Sequence, residues 1–148
     1  RVADIAVEPL QQLAAIKSAG ALIASIKRTK CYGKCPAYEA KVFASGLVLF
    51  EGMQHTGREG LHEAQLEVEQ IDSLMEKAQR MEYFDMAGHY PTSGFTLSGL
   101  PSTITYIKTN NNENKVTNNH NAPKALRQYE RYFEDLLEQL NWKPVLEN

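Results

Sequence analysis

From Ala21 onward the hydrophobic positions follow a period of two. Leu22, Ala24 and Ile26 alternate with Ile23, Ser25 and Lys27, which is the mark of a half-buried strand. After a short break the alternation returns, with Tyr38, Ala40 and Val42 on one side and Glu39, Lys41 and Phe43 on the other. Ser45-Gly46 interrupts it and residues 47–52 (LVLFEG) resume it, a hairpin signal because glycine supplies the positive φ of a tight turn. Residues 57–60 (GREG) read as another turn and residues 61–66 as a fourth strand.

The period then lengthens. Over residues 67–81, Val68, Ile71, Leu74, Met75, Ala78 and Met81 form one apolar stripe, opposite Glu69, Gln70, Lys77 and Arg80. Tyr83 and Phe84 follow as anchors for the helix end. Residues 89–101 (HYPTSGFTLSGLP) fit neither period and read as a long connection. Ile104 and Tyr106 against Thr105 and Ile107 give a further strand. The Asn-rich run after it reads as a hairpin tip, since Asn tolerates left-handed backbone, and residues 115–118 as the return strand. Pro123 suits a helix start, and Leu126, Tyr129, Phe133, Leu136, Leu137 and Leu140 form its inward face, with Trp142 and Pro144 as its end.

Consecutive strands joined by short turns pair antiparallel, so the expected class is α+β. The expectation is an antiparallel sheet of about five or six strands with two amphipathic helices packed on one face. Residues 21–148 form the single domain. Residues 1–20 read as an N-terminal arm or short helix, in which Leu10, Leu13, Ala14 and Ile16 fall near helical spacing between Pro9 and Gly20.

Composition changes this picture little. A chain of 148 residues suits one domain with a real core, and 43% hydrophobic with 23% charged residues is ordinary for a globular protein. A net charge of −2 argues against a nucleic-acid binder, although Lys27, Arg28, Lys30 and Lys34 cluster locally. No apolar run is long enough to span a bilayer. The first residue is Arg1 rather than Met, which fits a removed signal peptide as well as a trimmed chain.

The candidate chemistry centres on the two cysteines, Cys31 and Cys35, in KCYGKCPAYE. Three chemistries fit them, and two free thiols in a reducing cytosol are the remaining reading. A disulfide closes a very short loop, worth only about 2 kcal/mol by chain entropy, and Gly33 and Pro36 suit the bend. A redox pair finds Lys30 and Lys34 nearby to favour a thiolate, but three residues intervene and strands flank the loop, so no helix N-terminus lowers the thiol pKa. A zinc site needs two more ligands, and His55, His62, His89 and His120 form no close ligand pair.

Phosphate-binding loops, nucleophile elbows and the zinc-protease helix motif are all missing from the sequence. The acids Glu130, Glu134, Asp135 and Glu138 read as a solvated helix face. No catalytic, cofactor or metal residue is assigned. The pattern therefore favours a binding module, whose candidate surface joins the cysteine loop to the long connection. Its candidate residues are Arg28, Tyr32, Lys34, Tyr38, His89 and Tyr90: tyrosines offer amphipathic contact area, and Arg28 and Lys34 suit an acidic group. Tyr38 and Tyr90 fit equally well as strand-end and loop anchors.

The residues Cys31, Gly33, Cys35, Pro36 and Tyr38, followed by Gly46, Glu51 and Gly52, resemble a bacterial domain family of unknown function with a C-x-G-x-C-P-x-Y motif. The resemblance runs from about Ala21 to Trp142. It departs at Leu100, where an acidic residue is expected before Pro101. The family occurs in exported or lipoprotein-like proteins, so the resemblance implies a Cys31–Cys35 disulfide and a periplasmic or membrane-anchored location reached through a removed N-terminal segment. It implies no activity. The expected function is a non-catalytic binding or scaffold module of the cell envelope, with an envelope protein or a small ligand as partner. The alternatives are a redox or metal-binding protein using the cysteine pair, and a small-ligand carrier with a pocket between sheet and helices.

Overall fold

The structure, a computed structural model, describes residues 18–145. The expected arm or short helix over residues 1–20 lies almost wholly outside them. Strands β1 (Leu22–Arg28), β2 (Ala37–Phe43), β3 (Leu47–Gln54) and β4 (Gly60–Gln65) precede helix α1 (Val68–Arg80). A 3-10 turn at Tyr83–Asp85, then β5 (His89–Tyr90), β6 (Thr103–Lys108), β7 (Glu113–Asn118), helix α2 (Lys124–Glu138) and β8 (Lys143–Pro144) complete the order.

All eight strands form one sheet in the order β5-β7-β6-β1-β2-β3-β4-β8. Among the described residues only the β5–β7 pair is parallel. The class is α+β, as the pattern predicts, but the sheet has two more strands than the upper expectation. The extra ones, β5 and β8, are two-residue edges. Strands that short carry no alternation, so period-two reading passes over them. Pro144 sits in β8 rather than serving only as a helix stop, and α2 ends at Glu138.

The alternation sets the layers. Ala24, Ile26, Tyr38, Ala40, Val42, Val48 and Phe50 face the same way and pack with Leu74 and Ala78 of α1 and Leu126, Phe133 and Leu137 of α2 in one cluster. The other sheet face carries the charged partners of the alternation, including the cross-strand pair Lys27–Glu39. Helix α1 starts where Glu67 N donates to Gln70 Oε1 at 2.8 Å, half of a capping box. Val68, placed on the inward stripe by spacing, is exposed in this first turn. Tyr129 of α2 donates its hydroxyl to the Leu74 carbonyl at 2.8 Å and ties the helices together. Tyr83 is fully buried and shares a hydrogen bond with Thr105 Oγ1 at 2.9 Å, so the tyrosine after α1 does anchor in the core.

Two glycines are required by close approach. A Cβ on Gly52 would stand 1.8 Å from the Arg58 carbonyl oxygen, because the β3–β4 turn folds back on it. Gly46 has φ +93°, and a Cβ there would meet the Leu66 carbonyl oxygen at 2.6 Å. Gly33 differs. It is not among the glycines of positive φ, and a Cβ there would meet only Cys31 Sγ at 3.9 Å.

Candidate functional site

Antiparallel pairing brings the chemistry to one end of the sheet. Arg28 at the end of β1 lies opposite Tyr38 at the start of β2 and Thr103 at the start of β6. Thr103 in turn lies opposite Asn118 at the end of β7. The cysteine loop (29–36), the long connection (91–102) and the segment after β7 therefore leave the sheet at the same end.

Cys31 and Cys35 are joined in a disulfide across 5.7 Å between their Cα atoms. The Gly33 N–H donates to Cys31 Sγ at 3.2 Å. Of the three chemistries open to the pair, the structure takes the disulfide. Strands enter and leave the loop. Among the described residues no group of three or more His, Cys, Asp or Glu side chains is placed to hold a metal ion. Nor is any helix there long and apolar enough to cross a membrane.

The two loops are stitched together. Thr29 N donates to the Ser102 carbonyl at 3.0 Å, and Ser102 N returns a bond to Thr29 Oγ1 at 2.8 Å. Tyr32 lies over Gly99, its N–H on the Gly99 carbonyl and its hydroxyl 3.0 Å from Ser98 Oγ. A Cβ on Gly99 would come within 2.9 Å of the Tyr32 ring. Asn119, buried, clamps the connection from below: its Oδ1 accepts from Leu97 N at 2.7 Å, and its Nδ2 donates to the Leu97 carbonyl and to Ser102 Oγ. His120 Nε2 is 3.1 Å from the Phe95 carbonyl oxygen.

This scaffold holds apolar side chains in water. Six large hydrophobic residues are exposed among those described, and four of them, Tyr32, Phe95, Leu97 and Leu100, belong to these two loops. Tyr32 is 83% and Phe95 89% exposed, which is far beyond what a core anchor shows. Lys30 and Lys34 are exposed beside them.

The residues named by sequence reasoning divide into two layers. Tyr32 and Lys34 lie on the exposed surface. His89 is also exposed, with Nδ1 2.9 Å from the Pro91 carbonyl oxygen and Nε2 3.4 Å from Thr96 Oγ1. Arg28 and Tyr38 lie beneath. Tyr38 is buried and donates its hydroxyl to Glu134 Oε2 at 2.7 Å, while Arg28 pairs with Glu134 at 3.3 Å. Burial first, and the Glu134 charge second, push the Tyr38 phenol well above its ordinary pKa. Tyr90 is half-buried against the core, and its hydroxyl accepts from Ala87 N.

Two acids leave the solvated face assigned to them. Glu134 is half-buried in the pairs just described. Glu130 is buried on the core side of α2 and accepts two bonds from Asn118 Nδ2, at 3.0 and 3.1 Å. Burial raises its pKa to about 7, against the Asn118 bonds and the Arg28 charge. The spacing carried this signal, because residue 130 falls four after Leu126 and three before Phe133, on the inward stripe. Sequence reasoning also missed Asn119, for which nothing in the pattern distinguishes a buried clamp from its loop-forming neighbours.

Two cavities lie at the margins of the sheet–helix interior. One of about 540 Å³ is polar and lined by Gln65, Gln70, Leu140 and Lys143 among others. Another of about 260 Å³ lies beside the cysteine loop, lined by Pro36, Tyr38, Phe50, His55, Glu134 and Glu138.

Fold and site together define a class: an α+β domain whose helices cover one sheet face and whose disulfide-closed loop abuts a long clamped connection. The model of the domain of unknown function DUF6438 matches residues 23–137, and the chain belongs to this family. No curated protein matches the chain.

Proposed function

We propose that this domain is a non-catalytic binding or scaffold module of the bacterial cell envelope, exported through an N-terminal segment that is then removed. Its contact surface is the corner made by the cysteine loop and the 91–102 connection, and its partner is another protein. The observation that carries this reading is the concentration of exposed hydrophobic side chains on that corner, above a framework of hydrogen bonds that positions them. Exposed apolar groups held in place cost little entropy on binding, which is how a contact surface gains affinity. The disulfide supports the oxidising location, since such bonds are rare where thiols are kept reduced.

Site-specific photo-crosslinking tests the reading in the cells that make the protein. A crosslinker at Phe95 is expected to give a discrete protein adduct, whereas one at Val68, an exposed hydrophobic elsewhere, gives none. Equal yields from the two positions would overturn it. The location is tested by acid-quenching the cells and alkylating under denaturation: Cys31 and Cys35 should label only after reduction.

Small-ligand carriage has two cavities in its favour, one of about 540 Å³ beside Gln65 and Gln70 and one of about 260 Å³ beside Pro36. The first lies within the usual range of ligand sites, roughly 300–1,000 Å³, but is mainly polar, and the second falls slightly below it. Fragment-induced NMR shifts confined to His55 and Thr56 would support that reading.

A further inference from the structure

We infer that the partner presents an acidic segment bearing apolar side chains, which docks with its hydrophobic groups on Tyr32, Phe95 and Leu97 and its carboxylates towards Lys30 and Lys34. This rests on the reading of the corner as a contact surface and adds the chemistry of what binds there.

Charge distribution carries it. Residues 29–36 and 91–102 contain no Asp or Glu, and their charged side chains are Lys30 and Lys34, in a chain whose net charge is −2. His89 and His120 add imidazoles to the same end of the fold. Of the acids beside the cysteine loop, Glu134 is half-buried and its charge is met by Arg28 and the Tyr38 hydroxyl, while Glu138 lies across the pocket from Pro36, on the helix side of the corner. Lys30 and Lys34 have no ion-pair partner among the described residues, whose salt bridges involve Arg28, Arg58 and Arg80. An otherwise acidic molecule thus shows a corner that is positive and apolar at once. Carboxylates on a partner would meet two unpaired ammonium groups, gaining attraction at the rim while aromatic and aliphatic contacts supply the buried centre. The mixed character also sets the rank of partners. A neutral apolar segment forgoes the charge, a basic one is repelled, and a purely acidic one leaves Phe95 and Tyr32 uncovered.

The test uses the disulfide-intact domain and synthetic peptides of equal length in which Phe and Leu alternate with Asp and Glu, beside versions carrying Asn and Gln or Lys instead. Fluorescence anisotropy is expected to show the acidic set binding tighter than the amide set by roughly three- to ten-fold, the scale of one or two exposed charge pairs. Raised salt should narrow that gap. Lys34→Glu, which leaves Lys30 facing one new carboxylate, should abolish the acidic preference, Tyr32→Ser should weaken every apolar peptide, and Val68→Ser should change nothing. Equal binding of acidic and amide peptides, still lost in Tyr32→Ser, overturns the acidic partner and leaves the contact surface standing. Binding insensitive to both Tyr32→Ser and Phe95→Ser overturns the surface itself. Preference for vesicles of phosphatidylglycerol over every peptide, lost in Lys34→Glu, replaces the protein partner with an anionic membrane and overturns the inference.

Discussion

Glu130 shows how one residue can be misplaced by composition and recovered by position. Read as part of a charge run with Glu134, Asp135 and Glu138 it belongs in water, yet its spacing from Leu126 and Phe133 puts it in the core, where Asn118 receives it. Its raised pKa ties stability to pH. Below about pH 4.5 the carboxyl is protonated folded and unfolded alike; between there and about pH 7 only the folded state keeps the proton. Stability therefore falls as pH rises through that window, by about 3 kcal/mol at most from this group. Glu130→Gln keeps an acceptor for Asn118 and removes the titration, so urea midpoints of the variant should be flatter from pH 5 to 8 and higher than the parent's at pH 8. The glycines make a second contrast at this scale. Gly33→Ala should be neutral or stabilising by up to about 1 kcal/mol, since a Cβ fits there without strain. Gly52→Ala should cost more than about 2 kcal/mol, because backbone occupies the space. Thermal melts of the two proteins decide it.

At the scale of elements, legibility follows the length over which a period can repeat. The strands of six to eight residues and both helices were readable, because alternation and the helical stripe each complete several cycles in them. The two-residue edges β5 and β8 complete none. The Asn-rich run was legible only in part. Its tip turns at residues 109–112, where Thr109 N reaches the Asn112 carbonyl at 2.8 Å, as a hairpin requires. Asn114, Asn118 and Asn119 serve a different purpose: their amides bond the 3-10 turn, Glu130 and the 91–102 connection respectively. An amide has the same letter in a turn and in a clamp, and only the tertiary partner separates them. Asn119→Ala should therefore loosen one element and spare the others. The amides of residues 95–100 should exchange hydrogen faster in the variant, while those of β1, β2 and α2 keep their protection. The loss of its buried bonds should cost about 1–3 kcal/mol overall.

For the whole molecule, the sheet acts as a frame that delivers three connections to one end. Strands β1, β6 and β7 run antiparallel, so the end of β1, the start of β6 and the end of β7 coincide. The sequence pointed to the cysteine loop and the long connection as one surface, but it could not show which tyrosines faced outward. Tyr38 continues the inward alternation of β2 and holds Glu134 from below, whereas Tyr32, inside the disulfide loop, has no period to follow and stands in solvent. Phe95 and Leu97 carry no mark in the sequence for the same reason, and Leu100 stands out only as a departure from the family pattern, since irregular backbone hides the facing of each side chain. The central claim is that these residues are covered by a partner where the protein works. Hydroxyl-radical footprinting tests it most directly, comparing the purified domain with the protein in its native cells. The account predicts that Tyr32, Phe95 and Leu97 oxidise readily in the purified domain and are protected in cells, while Met53 and Val68 react alike in both. Equal oxidation of Phe95 in the two settings would contradict it.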